Sequence, residues 1–193
     1  MARIESVAVF CGASPGGSPA FLAAAQALGA GIARSGRALV YGGGRLGLMG
    51  AMADAALAEG GRVTGVIPDF LRRREVAHMA LRELVVTDSM HSRKIGIFGR
   101  ADAFVVLPGG LGTLDEAVEV ITWRQLGLHD KPILLCDVQG SATPLVAAVE
   151  AAIADGFAPA SARGLFERHD GVAAVLARLD ALQPGGAAAP ARL

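Results

Sequence analysis

The stretch AFVVLPGGLGTLDEAVEVITW, residues 103–123, contains the repeat that decides the fold. An apolar run, Ala103 to Leu107, stops at Pro108, glycines follow at Gly109, Gly110 and Gly112, and a helical pattern opens at Thr113. Proline ends the strand because it has no N–H for a ladder. Glycine allows a tight turn and lets backbone N–H groups approach a ligand. Strand, glycine loop and helix together make one βα unit.

Working outward from this stretch, the same order recurs along the chain. Short apolar runs lie at Val7 to Phe10, Ala38 to Tyr41, Val63 to Ile67, Leu84 to Thr87 and Ile133 to Cys136. Helical patterns lie between and beyond them, at Pro19 to Ser35, Leu48 to Glu59, Ser89 to Gly99, Thr113 to Leu126, Pro144 to Asp155 and Val172 to Leu182. The runs do not alternate apolar with polar, as expected of strands covered by helices on both faces. The expected fold class is α/β, a Rossmann-like doubly wound parallel sheet in three α/β/α layers. A single domain over residues 1–182 is expected, followed by a loose tail, QPGGAAAPARL, over 183–193.

Composition narrows the function. The 18 Lys+Arg balance 18 Asp+Glu for a net charge of zero, and a nucleic-acid partner would call for a basic stripe. Two cysteines, Cys11 and Cys136, are too few for a disulfide scaffold or a cysteine-rich zinc site. No apolar run reaches the ~18 residues of a membrane span. The opening MARIESVAVFCG reads as a first strand and not a signal peptide, so a cytoplasmic setting is expected.

The 26 glycines gather after strands, at Gly12, at Gly42 to Gly47 and at Gly109 to Gly112. In an open parallel sheet these loops line the crevice where ligands bind, and glycine loops before helices suit a phosphate. Ser14 in the first loop and Gly43 and Gly44 in the second are therefore candidate phosphate contacts. The spacing Gly42, Gly44, Gly47 also matches G-x-G-x-x-G, but the acidic residue wanted ~20 positions on has no firm candidate beyond Asp69. In the third loop Thr113 and Glu116 have capping-box spacing, in which the glutamate merely bonds back to the cap. Against that, acids beside a phosphate cradle repel the ligand unless one of them serves chemistry next to the phosphate.

PGGLGTLDE at 108–116, with YGGGRLGLMG, CGASPG, MHSRK and WRQLGLHDKP elsewhere, resembles the LONELY GUY family of cytokinin riboside 5′-monophosphate phosphoribohydrolases. The resemblance runs from about Val7 to Gly156. The family is often labelled "lysine decarboxylase". The sequence speaks against that activity, because a pyridoxal phosphate enzyme needs a Schiff-base lysine and only Lys94 and Lys131 exist.

The resemblance implies cleavage of the N-glycosidic bond of adenosine 5′-monophosphate, preferably N6-prenylated (N6-isopentenyl-AMP), to free base and ribose 5-phosphate, with no cofactor and no metal. It makes Arg93 and Glu116 the catalytic pair. It places other substrate contacts at Glu75, Lys94, Gly110, Leu111, Gly112, Thr113, Leu114, Asp115 and Thr122. It also implies a homodimer with the site near the interface, for which the helix Thr113 to Leu126 offers an apolar surface. Departures from the family pattern are Asp115 for a glutamate, Ala13 for a serine, Ser92 for a larger polar residue, and glycines in the helix after Lys94.

The chemistry assigns the roles. Departure of the base leaves an oxocarbenium-like ribose, which the carboxylate of Glu116 stabilises while activating water. Arg93 stays charged, so it orients phosphate or ribose instead of supplying a proton. Elsewhere Arg72, Arg73 and Arg74 read as a solvated run, and His78 and His91 lack a third metal ligand. Trp123, Met49 and Met52 read as core. Two rivals stay open: a non-catalytic nucleotide or cofactor carrier, which would not need both Arg93 and Glu116, and a dinucleotide-binding oxidoreductase.

Overall fold

The structure, a computed structural model, describes residues 3–72 and 76–183. Seven parallel strands form one sheet: β1 (Ser6–Phe10), β2 (Ala38–Tyr41), β3 (Arg62–Pro68), β4 (Glu83–Thr87), β5 (Ala103–Val106), β6 (Ile133–Asp137) and β7 (Glu167–Asp170). The helices are α1 (Pro19–Arg34), α2 (Gly47–Ala58), the single turn α3 (Asp69–Arg72), α4 (Met90–Phe98), α5 (Leu111–Gln125), α6 (Thr143–Ala154) and α7 (Gly171–Ala181). The strand order is β4-β3-β2-β1-β5-β6-β7. The chain winds outward from β1 to β4, returns through α4 to β5, and winds outward again. β1 and β5 therefore flank the switch point of a doubly wound, Rossmann-like sheet.

Alternation along the central strands divides the core into two layers. Val7 and Val9 of β1 and Val105 of β5 face one cluster, with Leu28 and Ile32 of α1, Met52 of α2 and Val175 of α7. Ala8, Phe10, Phe104 and Val106 face the other, with Ile97 and Phe98 of α4, Val120 and Ile121 of α5 and Leu145 of α6. Both faces are apolar, which is why the runs do not alternate in sequence.

The expected strands and helices all form, to within one or two residues at their ends. The strand β7 was not expected, because its sequence ERHD carries no apolar signal. Side chains hold it as an edge: Glu167 accepts from Arg178 of α7 at 2.7 and 2.8 Å, and Arg168 bonds Asp137 of β6. Residues 184–193, all but the first of the expected tail, lie outside the described residues, as do Arg73, Arg74 and Glu75.

Two helix starts differ from expectation. α5 begins at Leu111 with Gly110 as its N-cap and no side-chain cap, so Thr113 is already the third helical residue. The capping box that the Thr113 and Glu116 spacing would permit is therefore not there. One forms instead on α4, where Ser89 caps: its hydroxyl accepts from the Ser92 N–H, and the Ser92 hydroxyl accepts from the Ser89 N–H, both at 3.1 Å. Ser92 thus fills the position that glutamate or glutamine usually takes.

Candidate active site

A cleft of about 680 Å³ opens at the C-terminal ends of β1 and β5, where the strand order reverses. Gly12 ties its walls together. Its N–H donates to the Pro108 carbonyl at 3.0 Å, and its carbonyl accepts from the N–H groups of Leu48 and Met49 at 3.0 and 3.3 Å. A Cβ on Gly47 would lie 2.4 Å from the carbonyl carbon of Ala13, so α2 can start only against a glycine there.

Arg93 enters from α4 and is buried, at 5% exposure. Its Nε donates to the Val66 carbonyl at 3.1 Å and its Nη2 to the Gly42 carbonyl at 2.8 Å, both at the ends of neighbouring strands. Its Nη1 lies 3.9 Å from the Met90 sulfur. One turn along α4, Gly96 brings the helix close to β3: a Cβ there would lie 3.1 Å from Val66. The glycine-containing helix is thus part of how Arg93 reaches its carbonyl. At Gly42 the space that a dinucleotide loop leaves for a pyrophosphate is filled by the guanidinium, which a Cβ would meet at 2.3 Å. That geometry disfavours the dinucleotide reading.

Glu116 reaches the same cleft from the second turn of α5. Its charge bears on Cys11 on the cleft wall, whose thiol is pushed far up, first by burial and then by that carboxylate. Cys11 therefore stays a neutral thiol. Thr113 is buried with its hydroxyl against Gly109, where a Cβ would lie 2.0 Å from Oγ1. Gly110 and Gly112 differ: nothing stands within 4 Å of where their Cβ atoms would be. The first intrahelical bond of this turn runs from Leu114 N–H to Gly110 carbonyl at 3.1 Å, so the earlier N–H groups of α5 end the helix uncapped by any side chain. Such a terminus attracts an anion.

Of the residues expected at the site, Ser14, Arg93, Gly110, Gly112, Thr113, Asp115 and Glu116 line the cleft. Gly43 and Gly44 serve the backbone instead. The Gly43 carbonyl accepts from His78 N–H at 3.0 Å, and Gly44 makes an antiparallel bridge with Ala77. Leu111, Leu114 and Thr122 are exposed on α5. Lys94 sits beside the cleft with its Nζ 2.8 Å from Asp115 and 3.3 Å from Glu119. Glu75 lies outside the described residues.

Phe21 of α1, Leu71 of α3 and Met90 of α4 were not expected at the site and add apolar lining to the cleft. Phe21 shares helical spacing with Ala25, Leu28 and Ile32, so in sequence it reads as core. Met52 is core, whereas Met49 is both buried and on the cleft wall. Trp123 packs edge-on against Phe98 at 5.1 Å. His78 is buried with Nε2 on Asp54 at 2.9 Å. Among the described residues no cluster of three or more His, Cys, Asp or Glu is placed to hold a metal ion, and no helix is long and apolar enough to cross a membrane.

The fold and the cleft define a class: a Rossmann-like α/β protein that gathers a buried arginine and a glutamate between glycine loops at its switch point. A family described as "Possible lysine decarboxylase" matches residues 49–179. A "Probable cytokinin riboside 5′-monophosphate phosphoribohydrolase" of Oryza sativa subsp. japonica is 49% identical over 164 residues, 85% of this chain and 72% of that protein. A cytokinin riboside 5′-monophosphate phosphoribohydrolase of Rhodococcoides fascians is 49% identical over 154 residues, 79% of this chain and 78% of that protein. The chain belongs to this family, the LONELY GUY phosphoribohydrolases. The fold also matches a molybdenum cofactor carrier protein from Chlamydomonas reinhardtii, with a TM-score of 0.70, 23% identity and coverage of 93% of this chain and 98% of that chain. At that identity the likeness is one of fold.

Proposed function

We propose that the protein is a hydrolase that cleaves the N-glycosidic bond of adenosine 5′-monophosphate or its N6-prenylated form, releasing the base and ribose 5-phosphate. The observation that carries this reading is the meeting of Arg93 and Glu116 in one cleft, in a chain 49% identical to proteins named for that reaction. With Gly110 as N-cap, Glu116 lies outside the capping-box position that would have explained it structurally.

The 5′-phosphate sits at the open glycines of the α5 N-terminus, with Ser14 and Thr113 nearby. Arg93 holds the phosphate or ribose in place, its own position set by two carbonyls. The Glu116 carboxylate stabilises the oxocarbenium-like ribose as the base departs with the bonding electron pair, takes a proton from the water that attacks the anomeric carbon, and returns that proton to the departing base, so that the net reaction adds water across the N-glycosidic bond. The apolar lining contributed by Phe21, Leu71 and Met90 suits a base and an apolar substituent on it.

Lysine decarboxylation finds no support in the positions of the chain's lysines. Lys94 is held by two carboxylates, and Lys131 is buried, donating to the Phe98 carbonyl at 2.7 Å with its ammonium 4.0 Å from the Phe98 ring centre. A Schiff base needs a lysine directed into the cleft.

A homodimer belongs to the same reading. Leu111, Leu114, Val118 and Leu126 leave an exposed apolar stripe along α5, beside the site. A cytoplasmic setting is also part of it, in keeping with two buried, unbridged cysteines. The deciding experiment incubates the purified protein with AMP and with N6-isopentenyl-AMP and separates the released base by chromatography. Base release from either supports the hydrolase. Nucleotide binding with no release from either favours a carrier.

A further inference from the structure

We infer that Lys94 acts as a clip between α4 and α5, with Asp115 and Glu119 as its two jaws, and that Glu119 is a positioning residue for the Arg93 and Glu116 pair. The inference rests on the proposed hydrolase reading for its kinetic consequence, though the clip itself does not. Arg93 and Lys94 are neighbours on α4, and Asp115 and Glu116 are neighbours on α5. Successive helical residues diverge by about 100°, so α4 can direct Arg93 into the cleft and Lys94 toward α5, where Asp115 meets it from the cleft edge and Glu119 from one turn further on. Arg93, Asp115 and Glu116 line the cleft, whereas Lys94 and Glu119 do not. Lys94 crosses to α5, where its ammonium lies 2.8 Å from Asp115 Oδ2 and 3.3 Å from Glu119 Oε1.

The charge pattern needs the cation. Asp115 and Glu119 stand four residues apart on one helix face, where like charges repel. The Lys94 side chain is only 16% exposed, and the Glu119 side chain 25% exposed, so solvent screens this contact less than an ordinary surface pair. Burial pulls the Lys94 ammonium toward deprotonation, but the hydrogen bond it donates to Asp115 and the charge of Glu119 outweigh it and hold its pKa above the ordinary value. A substrate phosphate would have to draw Lys94 away from two carboxylates already in contact. The clip lies one residue from Arg93 on one helix and one residue from Glu116 on the other, so it sets the spacing of the pair.

Glu119 makes the test decisive, because it lies outside the cleft lining and has no reason to touch substrate. Steady-state base release is measured for Lys94→Met, Lys94→Arg, Glu119→Gln and the double variant Lys94→Met/Glu119→Gln. A clip predicts that Lys94→Met lowers kcat by about 10-fold to 100-fold with KM changed by less than about 3-fold, since a misplacement remote from the chemistry acts on the transition state. Glu119→Gln moves kcat in the same direction, the double variant is no worse than Lys94→Met, and Lys94→Arg recovers most of the rate. A rise in KM for Lys94→Met at unchanged kcat, with Glu119→Gln like wild type, overturns the clip and makes Lys94 a substrate contact. A second readout needs no turnover. Trp123, the chain's one tryptophan, sits on α5 against Phe98 of α4 and reports the packing of the two helices. Its emission and its quenching by acrylamide shift in Lys94→Met and Glu119→Gln if the clip holds, and stay at wild-type values if it does not. Wild-type protein that releases no base defeats the hydrolase reading alone, and the tryptophan then decides the clip.

Discussion

Gly42 and Arg93 share one space: the Gly42 carbonyl accepts from the guanidinium at 2.8 Å, and a Cβ on Gly42 would lie 2.3 Å from the same nitrogen. The clashing atom is the far end of a flexible side chain, so the guanidinium yields before the backbone does. Gly42→Ala is expected to keep the fold and its melting temperature, while base release falls by about 10-fold or more through loss of orientation. Gly110→Ala is the contrast. Its Cβ meets nothing in the protein and would project where the phosphate is proposed to sit, so KM is expected to rise more than kcat falls. Circular dichroism melts beside steady-state kinetics check both, and a Gly42→Ala enzyme with wild-type kinetics would sink the steric argument.

Glu116→Gln keeps the shape of the side chain and removes its charge. The expected result is a folded protein that still binds nucleotide but has lost about 10²-fold or more of its turnover. Equal rates for variant and wild type would return Glu116 to a structural role.

The apolar stripe on α5 makes its own prediction. Val118 is 48% exposed and lies in the middle of the stripe, and an aspartate there places a charge where a second copy would pack. Sedimentation velocity is expected to find a dimer for wild type and a monomer for Val118→Asp. A monomeric wild type would remove the homodimer from the proposed function.

Stability is expected to fall on mild acidification because of His129. This buried ring accepts the Lys131 N–H at Nδ1, 3.1 Å away, and donates from Nε2 to the Val120 carbonyl at 2.9 Å, an arrangement that needs the neutral imidazole. Burial is the largest reason that its pKa is lowered, with the charges of Lys131 and Arg124 adding to it. The unfolded chain therefore takes up the proton more readily, and stability is lost as pH drops below the ordinary imidazole value of about 6.5. The carboxylates held low, Asp137 by the Ala142 N–H and Arg168 against its burial, and Glu167 by Arg178, lose their contribution only in a more acidic range. Thermal melts from pH 7.5 to 5 are expected to slope downward for wild type and to flatten for His129→Gln, which keeps a donor and an acceptor. Identical slopes would assign the loss to other groups.

The residues differ in how much of their role can be read from the chain. Pro108, the glycines after it and the apolar run before it form one local unit, and local units follow from backbone preferences and periodicity. Glu167 to Asp170 is a strand only because β6 and α7 supply partners for its charged side chains, and no local pattern announces that. The spacing of Thr113 and Glu116 permits a capping box that does not form, for a similar reason. The Gly110 backbone starts α5 early and takes the cap position from Thr113, while the box on α4 uses Ser92, a residue type that spacing alone does not announce.

The sequence by itself determined the βα repeat, the parallel sheet with two apolar faces and the glycine loops at one edge, because each depends on neighbours a few positions apart. It also marked Arg93 and Glu116 through the motifs that carry the family resemblance. The tertiary structure decided what the glycines are for: Gly42 makes room for Arg93, Gly109 for Thr113, and only Gly110 and Gly112 leave the cradle open. It also decided that Lys94 faces Asp115 and Glu119, because that contact depends on how closely two helices pack across β5, a distance set by side chains far apart in the chain.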